Sequence, residues 1–144
     1  MRPIQNRMIS RSLAALLLSS TLILFTGNAI SADATVQTSG GISYVSGGVG
    51  DDSIIKLNTL AGQFNLKLVF ALQSGNYVSD VQVAIADAKG KTLLDATSTG
   101  PWFLAKLPAG NYQIVATFEG KAVKRSVTVG KAKLQTVDFR WAAE

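Results

Sequence analysis

Beyond residue 65 the apolar side chains of this chain recur at every second position, a period that suits a strand and no helix. Leu66, Leu68 and Phe70 share one face, as do Val81, Val83 and Ile85, with Gln82 and Ala84 turned the other way. Tyr112, Ile114, Ala116 and Phe118 alternate with Gln113, Val115 and Thr117. Val137, Phe139 and Trp141 alternate with Thr136, Asp138 and Arg140. Successive side chains of a strand point to opposite faces, so each run reads as a strand with one buried face. Turn formers separate the runs: Ser74-Gly75-Asn76, Ala88-Lys89-Gly90, Thr99-Gly100-Pro101, Pro108-Ala109-Gly110, Glu119-Gly120-Lys121 and Gly130-Lys131. The connections are shorter than the dozen or so residues that a parallel crossover needs. The reading is a mainly β fold, a seven-stranded antiparallel β-sandwich over residues 65–141.

One short amphipathic helix is expected before it, over residues 51–64. At 100° per residue, Ile54, Leu57, Leu60, Ala61 and Phe64 form one stripe that should pack on a sheet. Asp51 or Asp52 would cap its first turn, where both favour the dipole. Residues 33–50 are rich in Gly, Ser and Thr, with Gly40-Gly41 and Gly47-Gly48 pairs. They read as a flexible segment with at most a short strand over Ile42 to Val45. The GGVG stretch lacks the Lys-Ser/Thr ending and the preceding apolar strand of a phosphate loop.

Residues 1–32 read as a signal peptide. Arg2, Arg7 and Arg11 precede an apolar run over residues 13–25, LAALLLSSTLILF, and small residues follow. Gly27-Asn28 interrupts the run well short of the roughly 20 residues that span a bilayer. Cleavage is expected after Ala32, with the site after Ala34 nearly as good. The chain is then periplasmic or secreted, and touches the membrane only before cleavage. A bacterial envelope is favoured; a eukaryotic secretory route also fits.

The leader accounts for much of the net charge of +5. The basic balance therefore does not argue for nucleic acid, which needs many clustered phosphate contacts. With 47% hydrophobic and 16% charged residues, the chain is too apolar to be disordered. It has no cysteine and no histidine. Thiol chemistry, disulfides, lipid attachment at Cys and the commonest general base and metal ligand are thereby removed. Asp80, Asp87 and Asp95 fall at or near strand ends and read as solvated turn acids rather than a glycosidase pair. Asp51-Asp52 lacks the alternating ligand loop of a calcium site. No Ser-x-x-Lys or G-x-S-x-G arrangement occurs. The expectation is a protein that is not an enzyme, with no cofactor and no metal.

From Tyr77 onward a family pattern joins these readings. Val81-Gln82-Val83, Asp87-Ala88-Lys89-Gly90, Thr99-Gly100-Pro101-Trp102 and above all Leu107-Pro108-Ala109-Gly110-Asn111-Tyr112 carry it. The segment resembles the carboxypeptidase regulatory-like domains, which have a transthyretin-like (prealbumin-like) sandwich. The resemblance covers about residues 66–141 and implies Greek-key connections. Its namesakes attach this domain to a zinc peptidase. No peptidase domain or zinc ligand set stands here, so the resemblance implies a fold and no activity.

Two groups of residues are candidate partner contacts. Trp102 follows Gly100-Pro101 at a strand start, where its ring could stack on sugar or peptide; core or rim packing is the plainer reading. Lys121, Lys124, Arg125, Lys131 and Lys133 fall along the last hairpin. They suit either defence of a sheet edge or contact with an anionic partner. Trp141 is in phase with Val137 and Phe139 and belongs to the core. The expected role is a binding or structural accessory module of the cell envelope, its partner an envelope protein or a glycan. Carbohydrate binding is the main alternative, and a ligand-caging homo-oligomer by analogy with transthyretin is another.

Overall fold

The computed structural model describes residues 34–142, so the expected leader lies outside the described residues. Two sheets stack face to face, with one short helix on an outer face. Strands β1 (Gln37–Ser39) and β2 (Ile42–Gly47) come first, then helix α1 (Asp51–Leu60), which ends in a single 3-10 turn (Ala61–Gln63). Strands β3 (Leu66–Leu72), β4 (Val81–Asp87), β5 (Thr92–Ser98), β6 (Trp102–Lys106), β7 (Gly110–Phe118), β8 (Lys121–Val129) and β9 (Gln135–Trp141) follow. One sheet has five strands in the order β1-β2-β6-β3-β9, the other four in the order β5-β4-β7-β8.

The period-two residues build the core between the sheets. Leu66, Leu68, Phe70, Phe103 and Phe139 from one sheet meet Val81, Val83, Ile85 and Ile114 from the other, all with no exposed surface. Burying each such side chain stabilises the fold by about 1.5–3 kcal/mol. Trp141 closes one edge, tilted against Phe70 and Phe118, with its indole N–H donating to the Lys121 carbonyl at 2.9 Å. Two hairpins turn through residues with positive φ, Gly40-Gly41 and Glu119-Gly120. Such two-residue turns match the twist of the strands they join.

A second, smaller core lies on the outer face of the five-stranded sheet. Leu57 and Phe64 from the helical segment pack there with Val45, Leu104 and Ala34. The predicted stripe is thus only partly buried: Leu57 and Phe64 are covered, Ile54 and Leu60 half-buried. Because β6 is covered on both faces, Phe103, Leu104 and Ala105 are all buried in succession.

Asn65 ties one end together. Its amide donates to the carbonyls of Leu107 (2.6 Å) and Gly130 (3.1 Å), and its oxygen accepts from Leu107 N–H at 2.9 Å. One buried side chain therefore holds two inter-sheet connections.

The mainly β, two-sheet architecture agrees with the sequence reading; several details differ. Nine strands are present among the described residues rather than seven, and β3 pairs with β9 in parallel. The two extra strands come from residues 33–50, read as flexible with at most a short strand over Ile42 to Val45. Ile42 and Val45 bury on opposite faces of β2, which pairs with β6. The Gly-rich composition hid this, because Gly47 and Gly100 are needed for contact and not for flexibility. A Cβ on Gly100 would strike the Gly47 carbonyl. Neither aspartate caps α1: the N-cap is Gly50, without a side-chain bond, and Asp51 and Asp52 stand in the first turn.

Candidate functional site

The helix covers only part of the outer face of the five-stranded sheet. Along this face the strand register sets side chains in rows. Trp102, Val69 and Asp138 share one row, since Val69 pairs with Trp102 on one side and Asp138 on the other. Tyr77, Ala71 and Arg140 share the next. Leu104, Lys67 and Thr136 share the row before.

Tyr77 reaches this face because β6 stops early. Phe70 N–H donates to the Pro101 carbonyl, and the Phe70 carbonyl accepts from Val78 N–H. The chain before β4 thus continues the pairing that β6 begins, and Tyr77 follows Trp102 along the flank of β3. Two strand positions separate their rows, about 7 Å of backbone. Tyr77 is 65% exposed and Trp102 half-buried.

Charged groups surround the aromatics. The Lys67 ammonium lies 3.6 Å from the centroid of the Trp102 ring. Partial burial lowers the Lys67 pKa from its ordinary value, and the Asp138 carboxylate opposes that shift. Gly48 backs the Trp102 side chain so closely that a Cβ there would fall 3.1 Å from the ring carbon Cγ. The face offers two rings, two cations and one carboxylate, the mixture with which folded modules recognise polymeric partners.

The candidate basic residues do not join it. Lys121, Lys124 and Arg125 lie on β8, an edge of the four-stranded sheet; Lys131 and Lys133 lie in the β8–β9 connection. All five are exposed. Lys121 and Val129 stand at opposite ends of a strand about 26 Å long, so the charges are strung along an edge and do not converge. Arg125 is in phase with the inward-facing Val123, Val127 and Val129 yet remains exposed at the open edge. An inward-phase charge is a device against edge-to-edge pairing.

Of the three acids read as turn acids, Asp87 and Asp80 stand at a strand end or just outside one, whereas Asp95 is central in β5, its exposed outward phase hiding it among turn-like residues. Asp87 accepts from the N–H groups of Lys89 and Lys91, each at 2.9 Å. Asp95 lies exposed within β5 and Asp80 just before β4. Among the described residues no three acidic side chains gather. Sequence reasoning found Trp102 but missed Lys67, Asp138 and Arg140 as its neighbours. The alternation of β9 puts Asp138 and Arg140 opposite the core; the parallel pairing that brings them beside β3 has no local signal. No family model matches this chain, and no curated protein matches it.

Proposed function

We propose that this is an exported, non-catalytic β-sandwich module with a binding or structural accessory role in the cell envelope. It binds its partner through the outer face of the five-stranded sheet. One observation carries the reading: Trp102 and Tyr77 follow each other on a sheet face that the helix covers only in part, with Asp138 and Arg140 in their rows and Lys67 in the row before. Trp102 packs at the rim of the smaller core, as its plainer reading had it, and leaves part of its ring exposed, while Tyr77 is mostly exposed.

Export rests on the leader. Ala34 is buried in the smaller core beside Val45 and Leu57, which favours cleavage after Ala32, since the cut after Ala34 would remove that side chain. The finer fold assignment is a Greek-key sandwich like that of the carboxypeptidase regulatory-like domains. Repeated crossing of the chain between sheets supports it. So does the Tyr112 hydroxyl, which donates back to the Pro108 carbonyl at 2.6 Å, as tyrosine corners do.

Carbohydrate binding is the second reading, favoured by the same ring pair, because flat aromatic surfaces stack on sugars as readily as on peptide. A pull-down of tagged mature protein from its own envelope fraction tests the first reading. Trp102→Ala and Tyr77→Ala should each reduce the captured partner severalfold, and capture that is indifferent to both variants sinks it. Quenching of Trp102 emission across a panel of envelope glycans, absent in Trp102→Ala, would identify the partner as a glycan.

A further inference from the structure

A second recess lies on the other sheet, away from Trp102. It is an open cavity of about 370 Å³ at the β4–β5 turn, lined chiefly by Asp87, Asn111, Tyr112, Gln113, Ser126 and Thr128. That volume is at the small end of ligand sites, which run from about 300 to 1,000 Å³. We propose that it binds a small neutral polyhydroxy ligand, a monosaccharide or the terminal unit of a neutral glycan.

The lining argues for that class. Asn111 pairs with Thr128, and Gln113 with Ser126, across β7 and β8, so four hydrogen-bonding side chains stand in two adjacent rows. The Thr128 hydroxyl donates to the Asn111 amide oxygen at 2.7 Å. That bond fixes the amide orientation and leaves its two N–H groups as donors for a ligand. Gln113 and Ser126 contribute further donors and acceptors. Asp87 is the one charged side chain of the lining, and no cation lines the recess. An anion would meet a nearby carboxylate and no counter-charge, a penalty that a neutral ligand escapes.

The recess is also fixed in shape. Two backbone N–H groups hold one Asp87 carboxylate oxygen and thereby the turn. The Tyr112 hydroxyl is anchored on Pro108. Preorganised polar groups lose little freedom on binding, so weak individual bonds can sum. The outer face beyond the recess continues with Ala86, Ala84, Val115, Gln82 and Thr117, flanked by Asp95 on β5 and Lys124 on β8.

The experiment is an amide NMR titration of the mature protein with glucose, galactose, N-acetylglucosamine, cellobiose and chitobiose, and with citrate as the anionic control. The side-chain NH₂ signals of Asn111 and Gln113 should shift saturably with at least one sugar and not with citrate. Asn111→Ala and Gln113→Ala should each weaken that binding roughly three- to tenfold, the effect of one lost hydrogen bond. A disaccharide bound more tightly than its monomer identifies a glycan end, and equal affinity identifies a free monosaccharide. Trp102→Ala should leave these shifts unchanged, which separates this site from the face proposed above. No saturable shift at these two amides with any of the five sugars, or shifts with citrate alone, overturns the proposal.

Discussion

Lys67 holds its ammonium 3.6 Å from the centre of the Trp102 ring. The two residues are diagonal neighbours on β3 and β6, on the face opposite the main core. A cation over an indole at an exposed site contributes about 0.5–1 kcal/mol, and partial desolvation of the same ammonium offsets some of it. The pair is therefore a weak cover over the ring, one that a partner can displace.

From this, Lys67→Ala should change stability by less than about 1 kcal/mol while uncovering Trp102. Acrylamide should quench tryptophan emission more strongly in Lys67→Ala than in the wild type. The increase should vanish when Trp102→Phe is added, because Trp141 stays buried in the core. Equal quenching in wild type and Lys67→Ala would show that the ammonium covers nothing.

Asn65 is the residue whose loss should cost the fold most per atom removed. Asn65→Ala strips partners from the Leu107 N–H and from the Leu107 and Gly130 carbonyls. Leaving buried polar groups unpaired costs about 1–3 kcal/mol each, less where water can enter. A net loss of roughly 2–4 kcal/mol should lower the melting temperature by roughly 10–20 °C in a domain of this size. Calorimetry of the variant reads this directly, and a shift of only a degree or two would contradict it.

Tyr112 gives the fold a dependence on alkaline pH. Burial first, and then the Asp87 carboxylate, raise its phenol pKa above the ordinary 10.0. The folded chain therefore holds this proton more tightly than the unfolded chain does. The stabilisation is complete below pH 10 and is lost as pH rises through the raised value. Lys67, with its lowered pKa, acts in the opposite sense, so the comparison is between wild type and Tyr112→Phe, which share Lys67. At pH 7 the variant should lose about 1 kcal/mol with the Pro108 hydrogen bond. Above pH 10 it should lose less further stability than the wild type does. Urea unfolding from pH 7 to 11 checks both parts.

Arg125 guards an open strand. With Arg125→Val the inward phase of β8 becomes apolar from Val123 to Val129. The edge then resembles those that pair with a second chain. The variant should self-associate as its concentration rises, seen by light scattering, while the wild type keeps its size. A variant as well behaved as the wild type would show that the remaining lysines suffice.

The particular residues show how far sequence reading reaches here. Val81, Val83, Ile85 and Ile114 announced their strands through alternation, because one face of each is buried and the other wet. Trp141 was legible for the same reason. Leu104 was not, since β6 lies under the helix and its burial on both faces erases the alternation. Strand β2 was legible only as a possible short strand over Ile42 to Val45, because its flanking glycines, one of them needed for close approach between Gly47 and Gly100, read as loop. The candidate face was half legible: the start of β6 pointed to Trp102. Lys67 joins it through the antiparallel pairing of β3 with β6, and Asp138 and Arg140 only through a parallel pairing between segments some seventy residues apart. The polar recess of the other sheet was invisible, because solvated Asn, Gln, Ser and Thr side chains carry no pattern until β7 and β8 align them.

The central claim is that the outer face of the five-stranded sheet meets the partner, and site-specific photo-crosslinking tests it most directly. A photoreactive side chain is placed at residue 77, or at exposed residue 97 on the outer face of the other sheet, in the protein expressed in its native cells. The account predicts a discrete adduct from position 77 that Trp102→Ala diminishes, and none of the same mass from position 97. An adduct from position 97 alone, or none from position 77, would contradict it.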